Sequence, residues 1–398
     1  MSLTRALQPG LRPQQYTKID LLKFTNISRN ATLDIIWASL IGEEPGLTRF
    51  ETRKLRARIS ERKVKEQEPR STFVKAEMTY ISQAISRNST TPMPTWAQKL
   101  ETYTLRHHSF RETVTREVSQ AMRKATDHYE RLDIGTLEVD DSATCMMDLV
   151  LRQMFEAKKA GIAATDPTKD PTMLDEGHDS TANTLAWFVK FMEAYPAVQT
   201  ELRTTLKFAF PGPDPPKVDR ILNTEIPYLD GTLEESLRLA GTAKGTVRQA
   251  LVDTDILGHK IPKGAEVLLS LHINQTPYSF NESKRSPGCR AAISKHGNRL
   301  SGAAERNLAS FEPRRWLMKD EATGKETFNP YALPSLAFGG GYRGCFGRKL
   351  ATLEFRIVVV LLILNLEFLE LPESLRSMRA SEKLFRRPEI SFARIGVL

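Results

Sequence analysis

Phe338-Gly339-Gly340-Gly341-Tyr342-Arg343-Gly344-Cys345-Phe346-Gly347 is the stretch whose reading decides the fold. One cysteine stands among five glycines, directly ahead of a long apolar segment. Glycines let the backbone pass close to a flat cofactor and allow positive φ. A helix is expected to start at about Arg348, which turns its positive dipole end toward the sulfur and favours a thiolate. Backbone N–H groups of that first turn can donate to the sulfur and tune a metal. Arg343 offers a planar fork for a carboxylate. The chemistry suits a metal-bound thiolate. Two other readings exist. Gly339, Gly341 and Gly344 match a dinucleotide fingerprint, but that needs a preceding strand, and Pro330 and Pro334 interrupt the segment. A buried structural cysteine in a glycine turn is the bland alternative.

Working outward, Leu350 to Leu366 reads as an apolar, buried helix. Residues 281–310 are polar and weakly periodic and read as a long loop. From Val247 to Leu271 short apolar runs are separated by Gly258, Pro262 and Gly264, the pattern of β-hairpins. A helix covers Tyr228 to Leu239, and Pro211 to Pro216 is a turn. A strong helix runs from about Gly177 to Ala194, with Pro196 just beyond it. Asp166-Pro167 and Asp170-Pro171 mark a loop over 161–175. Residues 18–160 read as mostly helical; Asp34-Ile35-Ile36-Trp37 with Leu40-Ile41 forms an apolar stripe. The element order is therefore α, a small β piece, a loop, then α.

The chain has 398 residues, 40% hydrophobic and 26% charged, which excludes wholesale disorder and a polytopic membrane protein. The formal charge of +9 favours acidic partners or surfaces without identifying one. Residues 51–70 carry a basic run interleaved with glutamates and no aromatics, so they read as a solvated helical face and not a nucleic-acid stripe. No signal peptide is visible at the start, and the longest apolar run, Ile357 to Leu364, is too short for the ~20 residues of a spanning helix. Cys145, Cys289 and Cys345 are too few and too odd for a disulfide framework and suggest a reducing compartment. His107 and His108 diverge on a helix and read as surface residues.

The spacing Phe338-x-x-Gly341-x-Arg343-x-Cys345-x-Gly347 resembles, at every fixed position, the haem-binding loop of the cytochrome P450 family. Glu235-Ser236-Leu237-Arg238 is similar to the family's E-x-x-R helix. Phe311-Glu312-Pro313-Arg314-Arg315-Trp316 resembles its F-x-P-x-R-W segment, and Gly177-His178-Asp179-Ser180-Thr181 its oxygen-activating helix. The match is strong over about 173–370 and diffuse over 1–172, in the style of filamentous-fungal members. The resemblance implies a mainly α fold with a small β region, as one haem domain over 1–398 whose N-terminal part is missing.

What the resemblance implies for function follows residue by residue. Cys345 would be the axial ligand to the iron of haem b (iron protoporphyrin IX), its thiolate donating electron density that favours O–O cleavage. Phe338, Gly341 and Gly347 would shape the loop. Arg343 and Arg248 stand where haem propionates are held, although Arg248 reads equally well as a surface strand residue. Glu235, Arg238 and Arg315 would form a buried structural cluster; an exposed i, i+3 pair would be worth only ~0.3–0.5 kcal/mol. Asp179, Ser180 and Thr181 would relay protons to O2, with Ser180 where threonine is usual. The implied partners are a small lipophilic substrate and an NADPH-cytochrome P450 reductase docking near Arg343, Arg348 and Lys349. Nucleic acid is not implied. The implied place is the cytosolic face of the endoplasmic reticulum membrane, with membrane association only if an anchor lies upstream. The implied activity is oxygen insertion. A truncated, non-catalytic haem-binding product and a rearrangement or dehydration without external electrons are the alternatives.

The pattern departs from the family in three places. Glu176 occupies a position that is normally small, where a carboxylate is costly to bury. Pro171-Thr172-Met173-Leu174-Asp175 replaces the usual apolar turn, as though residues had been lost. No tryptophan has arginine four residues on: Trp37, Trp96, Trp187 and Trp316 are followed there by Ile41, Leu100, Phe191 and Asp320.

Overall fold

The computed structural model describes residues 21–59, 70–89, 91, 93–131, 145, 148, 176–256, 258–271, 287–288, 290–291, 308–333, 335–382 and 385–398. The expected loop at 161–175, Cys289 and most of the basic run after residue 59 lie outside them. Their contacts divide into two compact units, and the boundary falls after Ala182.

The first unit, Thr25–Ala182, is helical. It holds α1 (Phe24–Ile41), α2 (Leu47–Ile59), α3 (Arg70–Ser89), α4 (Pro94–Glu101), α5 (Leu105–Arg131) and the start of α6 (Glu176–Ala194). Apolar residues recur at helical spacing: Val74, Met78 and Ile81 on α3, and Phe110, Val114 and Val118 on α5. They meet Leu33, Trp37 and Leu47 in one core. The stripe expected on α1 is present, with Ile36 and Trp37 buried. The buried Asp34 carboxylate accepts from Leu47 N at 2.9 Å and Thr48 N at 2.7 Å. It thereby satisfies two of the N–H groups that open α2, acting as a remote N-cap. His108 is exposed as expected, but His107 is half-buried beside Phe110, and burial lowers its pKa.

The second unit holds Asn183–Leu398 with β1 (Leu21–Lys23) and Phe24. Its helices are the remainder of α6, α7 (Pro196–Ala209), α8 (Val218–Asn223), α9 (Pro227–Ala240) and α10 (Arg348–Asn365). Proline opens both α7 and α9, where its missing N–H costs nothing. The core is aromatic as well as aliphatic. Phe191 stacks on Phe311 at 4.8 Å between centroids, and Phe188 meets Phe355 edge-on at 5.9 Å. The expected hairpin segment consists of β2 (Gly245–Gln249) paired with β5 (Glu266–Ser270), and β3 (Thr254–Ile256) with β4 (His259–Ile261), all antiparallel. Val247 faces Leu268 and Arg248 faces Val267.

The anticipated element order needs correcting at its end. A hairpin of β6 (Leu317–Lys319) and β7 (Glu326–Phe328) precedes α10. After α10 come β8 (Leu366–Leu369), β9 (Ala380–Glu382), β10 (Arg386–Pro388) and β11 (Phe392–Val397). They form a β9–β10 hairpin and a three-stranded antiparallel sheet ordered β1-β11-β8. Strands of three to six residues are too short for alternation to announce them. Residues 287–288 and 290–291 are helical, against the loop expected there. Helix α10 is also less buried than expected: Phe355, Val359, Val360 and Ile363 face the core, while its first turn is exposed. Gln199 of α7 donates Nε2 to Phe368 O at 3.0 Å and accepts from Phe368 N at 2.8 Å, which locks β8 to that helix.

Candidate haem-thiolate site

The loop 338–347 closes on itself. Cys345 N donates to Phe338 O at 2.8 Å, and Gly344 N donates to Gly341 O at 3.0 Å around a 3-10 turn at Gly341–Arg343. Gly339 and Gly341 have φ of +67° and +64°, values that a side chain would strain, so the sequence folds this way because glycine is there. Gly347 is the N-cap of α10, and no side chain caps it. The Cys345 sulfur sits 3.9 Å from where a Cβ on Gly347 would stand, beside the uncapped start of the helix. Cys345, Tyr342, Arg343 and Phe346 are exposed. Phe338 is half-buried, with the Arg348 guanidinium 5.6 Å above its ring. A single exposed thiol, a glycine-rich wall and an arginine fork form a donor set that fits an iron whose other positions a porphyrin fills.

Glu235 and Arg238 on α9 meet Arg315 from the 3-10 turn Pro313–Trp316 in one buried cluster. Gly231 makes this approach possible, since a Cβ there would lie 2.8 Å from Pro313 O. Arg238 grips Glu235 through Nε at 2.8 Å and Nη2 at 2.9 Å. Arg315 Nε lies 2.9 Å from Oε1. Glu312 N donates to Oε1 at 3.1 Å, and Trp316 Nε1 donates to Oε2 at 2.9 Å. Arg238 also donates to Leu308 O at 2.8 Å. Arg315 lies 3.1 Å from the Glu312 carboxylate. Two buried guanidinium groups thus share the one buried carboxylate of Glu235, and the solvent-exposed carboxylate of Glu312 offsets the second positive charge from the rim.

Asp179, Ser180 and Thr181 lie in the first unit, on the first turns of α6. Asp179 is buried, and its Oδ1 lies 2.9 Å from Arg29 Nε of α1. Ser180 and Thr181 turn their hydroxyls back to Gly177 O, at 3.5 Å and 3.2 Å. Glu176 is helical at the start of α6. Arg248 is turned along its own strand, donating Nη1 to Thr246 Oγ1 at 2.6 Å and to Val247 O at 2.9 Å.

Three groups escaped the sequence reading. Trp316 was visible only as part of a motif, without its bond to Glu235. Arg29 carried no signal, because nothing in the sequence ties it to Asp179. Glu354 on α10 is buried, both its oxygens lack a hydrogen-bond partner, and burial pushes its pKa up to about 8. Its place in an apolar helix was the available clue.

A mainly helical fold with small antiparallel sheets and a glycine-rich cysteine loop opening a helix is the arrangement that the resemblance to the cytochrome P450 family implied. The family model for cytochrome P450 matches residues 60–281 and 307–392, and the chain belongs to the cytochrome P450 family. Cytochrome P450 monooxygenase xilC of Penicillium rubens is 36% identical over 266 residues, covering 64% of this chain and 44% of that protein. Cytochrome P450 monooxygenase TRI13 of Fusarium sporotrichioides is 36% identical over 234 residues, covering 54% of this chain and 39% of that protein. The chain thus spans less than half the length of these relatives. The crystal structure of a cytochrome P450 (CYP102L1) is similar in fold, with a TM-score of 0.62 at 21% identity, covering 95% of this chain and 69% of that one.

Proposed function

We propose that the chain is the haem-binding portion of a monooxygenase that inserts one oxygen atom of O2 into a small lipophilic organic substrate. The observation that carries this reading is the loop 338–347, which presents one exposed thiol at the uncapped start of α10. The cofactor is haem b, with residues 1–398 acting as one haem domain. When bound, it supplies the iron chemistry that activates dioxygen. Cys345 would hold the iron through its sulfur, and N–H groups of the first turn of α10 would be near enough to tune that sulfur. Phe338, Gly341 and Gly347 would shape the loop for a flat cofactor. Arg343 would bind a propionate, and Arg248 would be the second propionate arginine. Asp179, Ser180 and Thr181 would serve as the proton relay. Glu235, Arg238 and Arg315 fix the backbone on which these groups depend.

Electrons come from an NADPH-cytochrome P450 reductase docking on the exposed Arg343, Arg348 and Lys349. The cytosolic face of the endoplasmic reticulum membrane is the working place, and fungal secondary metabolism is the setting that the relatives favour. The test is spectroscopic. Expressed with haem, reduced and exposed to carbon monoxide, the chain gives the red-shifted Soret band of a thiolate-bound iron, and Cys345→Ala abolishes it. Retention of that band in Cys345→Ala removes Cys345 as the ligand. A band without NADPH-dependent oxidation reduces the chain to a haem binder.

A further inference from the structure

The first turn of α10 carries positive charge with no counterpart of its own. Arg348 and Lys349 open the helix, no acidic residue stands in that turn, and no side chain caps Gly347. Basic groups at a helix N-terminus add to its positive dipole end, where a carboxylate is favourable. Arg348 N donates to Cys345 O at 3.4 Å, so the cysteine lies within one turn of both cations. The Arg348 side chain folds back toward the cysteine loop, with its guanidinium 5.6 Å above the Phe338 ring.

A carboxylate reaches this turn from another helix. Glu234 and Glu235 are neighbours on α9 with different partners. Glu235 turns to Arg238 and Arg315, whereas the half-buried Glu234 accepts from the Ser335 hydroxyl and meets the charge of Arg348. Ser335 stands three residues ahead of Phe338, at the entry to the loop. The same helix touches this entry again further along. Leu237, Arg238 and Gly241 line one small pocket with Ser335, Leu336 and Ala337. Burial raises the Glu234 pKa, Ser335 and Arg348 oppose the rise, and Glu235 adds to it. Glu234 thus joins α9, the loop entry and the start of α10 through one negative charge.

We propose that Glu234 is a positioning residue for Cys345, which holds the Arg348 guanidinium over the Phe338 ring and, through that charge, sets the electrostatic potential at the sulfur. With Glu234 in place, the positive field at the sulfur is partly cancelled. Without it, Arg348 acts uncompensated, draws anions toward the sulfur and, for a thiolate-bound iron, favours the ferrous state. The redox consequence rests on the functional reading above; the effect on the thiol does not.

Iodoacetate and iodoacetamide alkylate thiols by the same displacement and differ in charge, so the ratio of their rates reads the local field. Labelling of the full chain without haem is mapped by mass spectrometry at the exposed Cys345, with the half-buried Cys145 as internal reference. Glu234→Gln raises the iodoacetate-to-iodoacetamide ratio at Cys345 about threefold or more. Adding Arg348→Gln returns the ratio to the wild-type value or below it. Ser335→Ala removes the hydrogen bond, keeps the charge and leaves the ratio near the wild-type value. An unchanged ratio in Glu234→Gln overturns the proposal. So does an equal rise in Ser335→Ala, which makes Glu234 a latch for the loop and nothing more. In the haem-loaded chain, Glu234→Gln moves the midpoint potential to more positive values and Arg348→Gln reverses the shift. An unmoved potential overturns the redox consequence. If the wild-type chain takes up no haem, the functional reading fails, and the alkylation ratio still decides the proposal.

Discussion

Trp316 Nε1 donates to Glu235 Oε2 across 2.9 Å, joining two residues 81 positions apart in a region closed to water. That bond completes the carboxylate's set of donors, with Arg238 and Arg315 supplying the charge. Trp316→Phe keeps the ring packing and removes one donor to a charged acceptor, at about 1.5–3 kcal/mol. Glu235→Gln leaves two buried guanidinium groups short of a counter-charge, at about 3–5 kcal/mol, a large share of a stability of ~5–15 kcal/mol. Urea unfolding of the two variants checks the order. Equal stabilities would remove the charged cluster as the main support of this region.

Arg356 of α10 ties the helix that begins beside Cys345 to its neighbours. It donates Nε to Ile221 O at 3.0 Å and Nη2 to Thr224 O at 2.5 Å, and it pairs with Asp230 of α9. Burial raises the Asp230 pKa, and Arg356 opposes that rise. Arg356→Leu should cost about 3–5 kcal/mol, and adding Asp230→Asn should recover part of the loss by removing the stranded carboxylate. A double-mutant cycle reads the coupling directly, and strict additivity would show the pair to be uncoupled.

Glu354 makes stability depend on pH in the opposite sense to a paired carboxylate. Its folded pKa, pushed up to about 8, lies above the ordinary carboxyl value of 4.5. The folded chain therefore binds the proton more tightly, so Glu354 opposes folding increasingly as pH rises from about 4.5 to about 8, by about 1.4 kcal/mol per pH unit at most. Below that window the penalty is absent, and above it the penalty is constant. Glu193, also raised to about 8 by burial, adds a slope of the same sign. Glu354→Gln should flatten the stability profile between pH 5 and 8 by about one proton. Parallel profiles for the two proteins would mean that Glu354 is ionised in the folded chain.

Ser180 turns its hydroxyl to Gly177 O at a long 3.5 Å, next to an aspartate already engaged by Arg29. The proposed relay makes this hydroxyl the group to test. In the reconstituted enzyme, Ser180→Ala should raise peroxide released per NADPH consumed, and Ser180→Thr should not. Unchanged coupling in Ser180→Ala would take Ser180 out of the relay.

What could be read from the sequence divides along physical lines. The loop around Cys345 was readable because glycines at positive φ and an adjoining helix are local properties, encoded within ten residues. Helices α6 and α9 were readable for the same reason, their apolar period and proline boundaries being local too. Glu235 and Arg238 share a helix, so their pairing could be anticipated. The bonds from Trp316 and Glu312 to the same carboxylate come from a distant turn and could not. Arg29 and Asp179 are brought together only by packing within the first unit. The strands after α10 were missed because each is short and β10 contains Arg386-Arg387-Pro388, which looks like surface loop. Arg248 illustrates the reverse limit: its strand was foreseen, but its bond to Thr246 is a matter of rotamer.

The amide of Gln199 meets the peptide group of Phe368 with both a donor and an acceptor, as a neighbouring strand would. Strand β8 lies at the border of the β1-β11-β8 sheet, where unpaired backbone groups invite addition of foreign strands. Together with Arg203, which donates to Leu366 O at 3.0 Å, this side chain occupies from a helix the position a further strand would take, and closes this border of the sheet to strand addition.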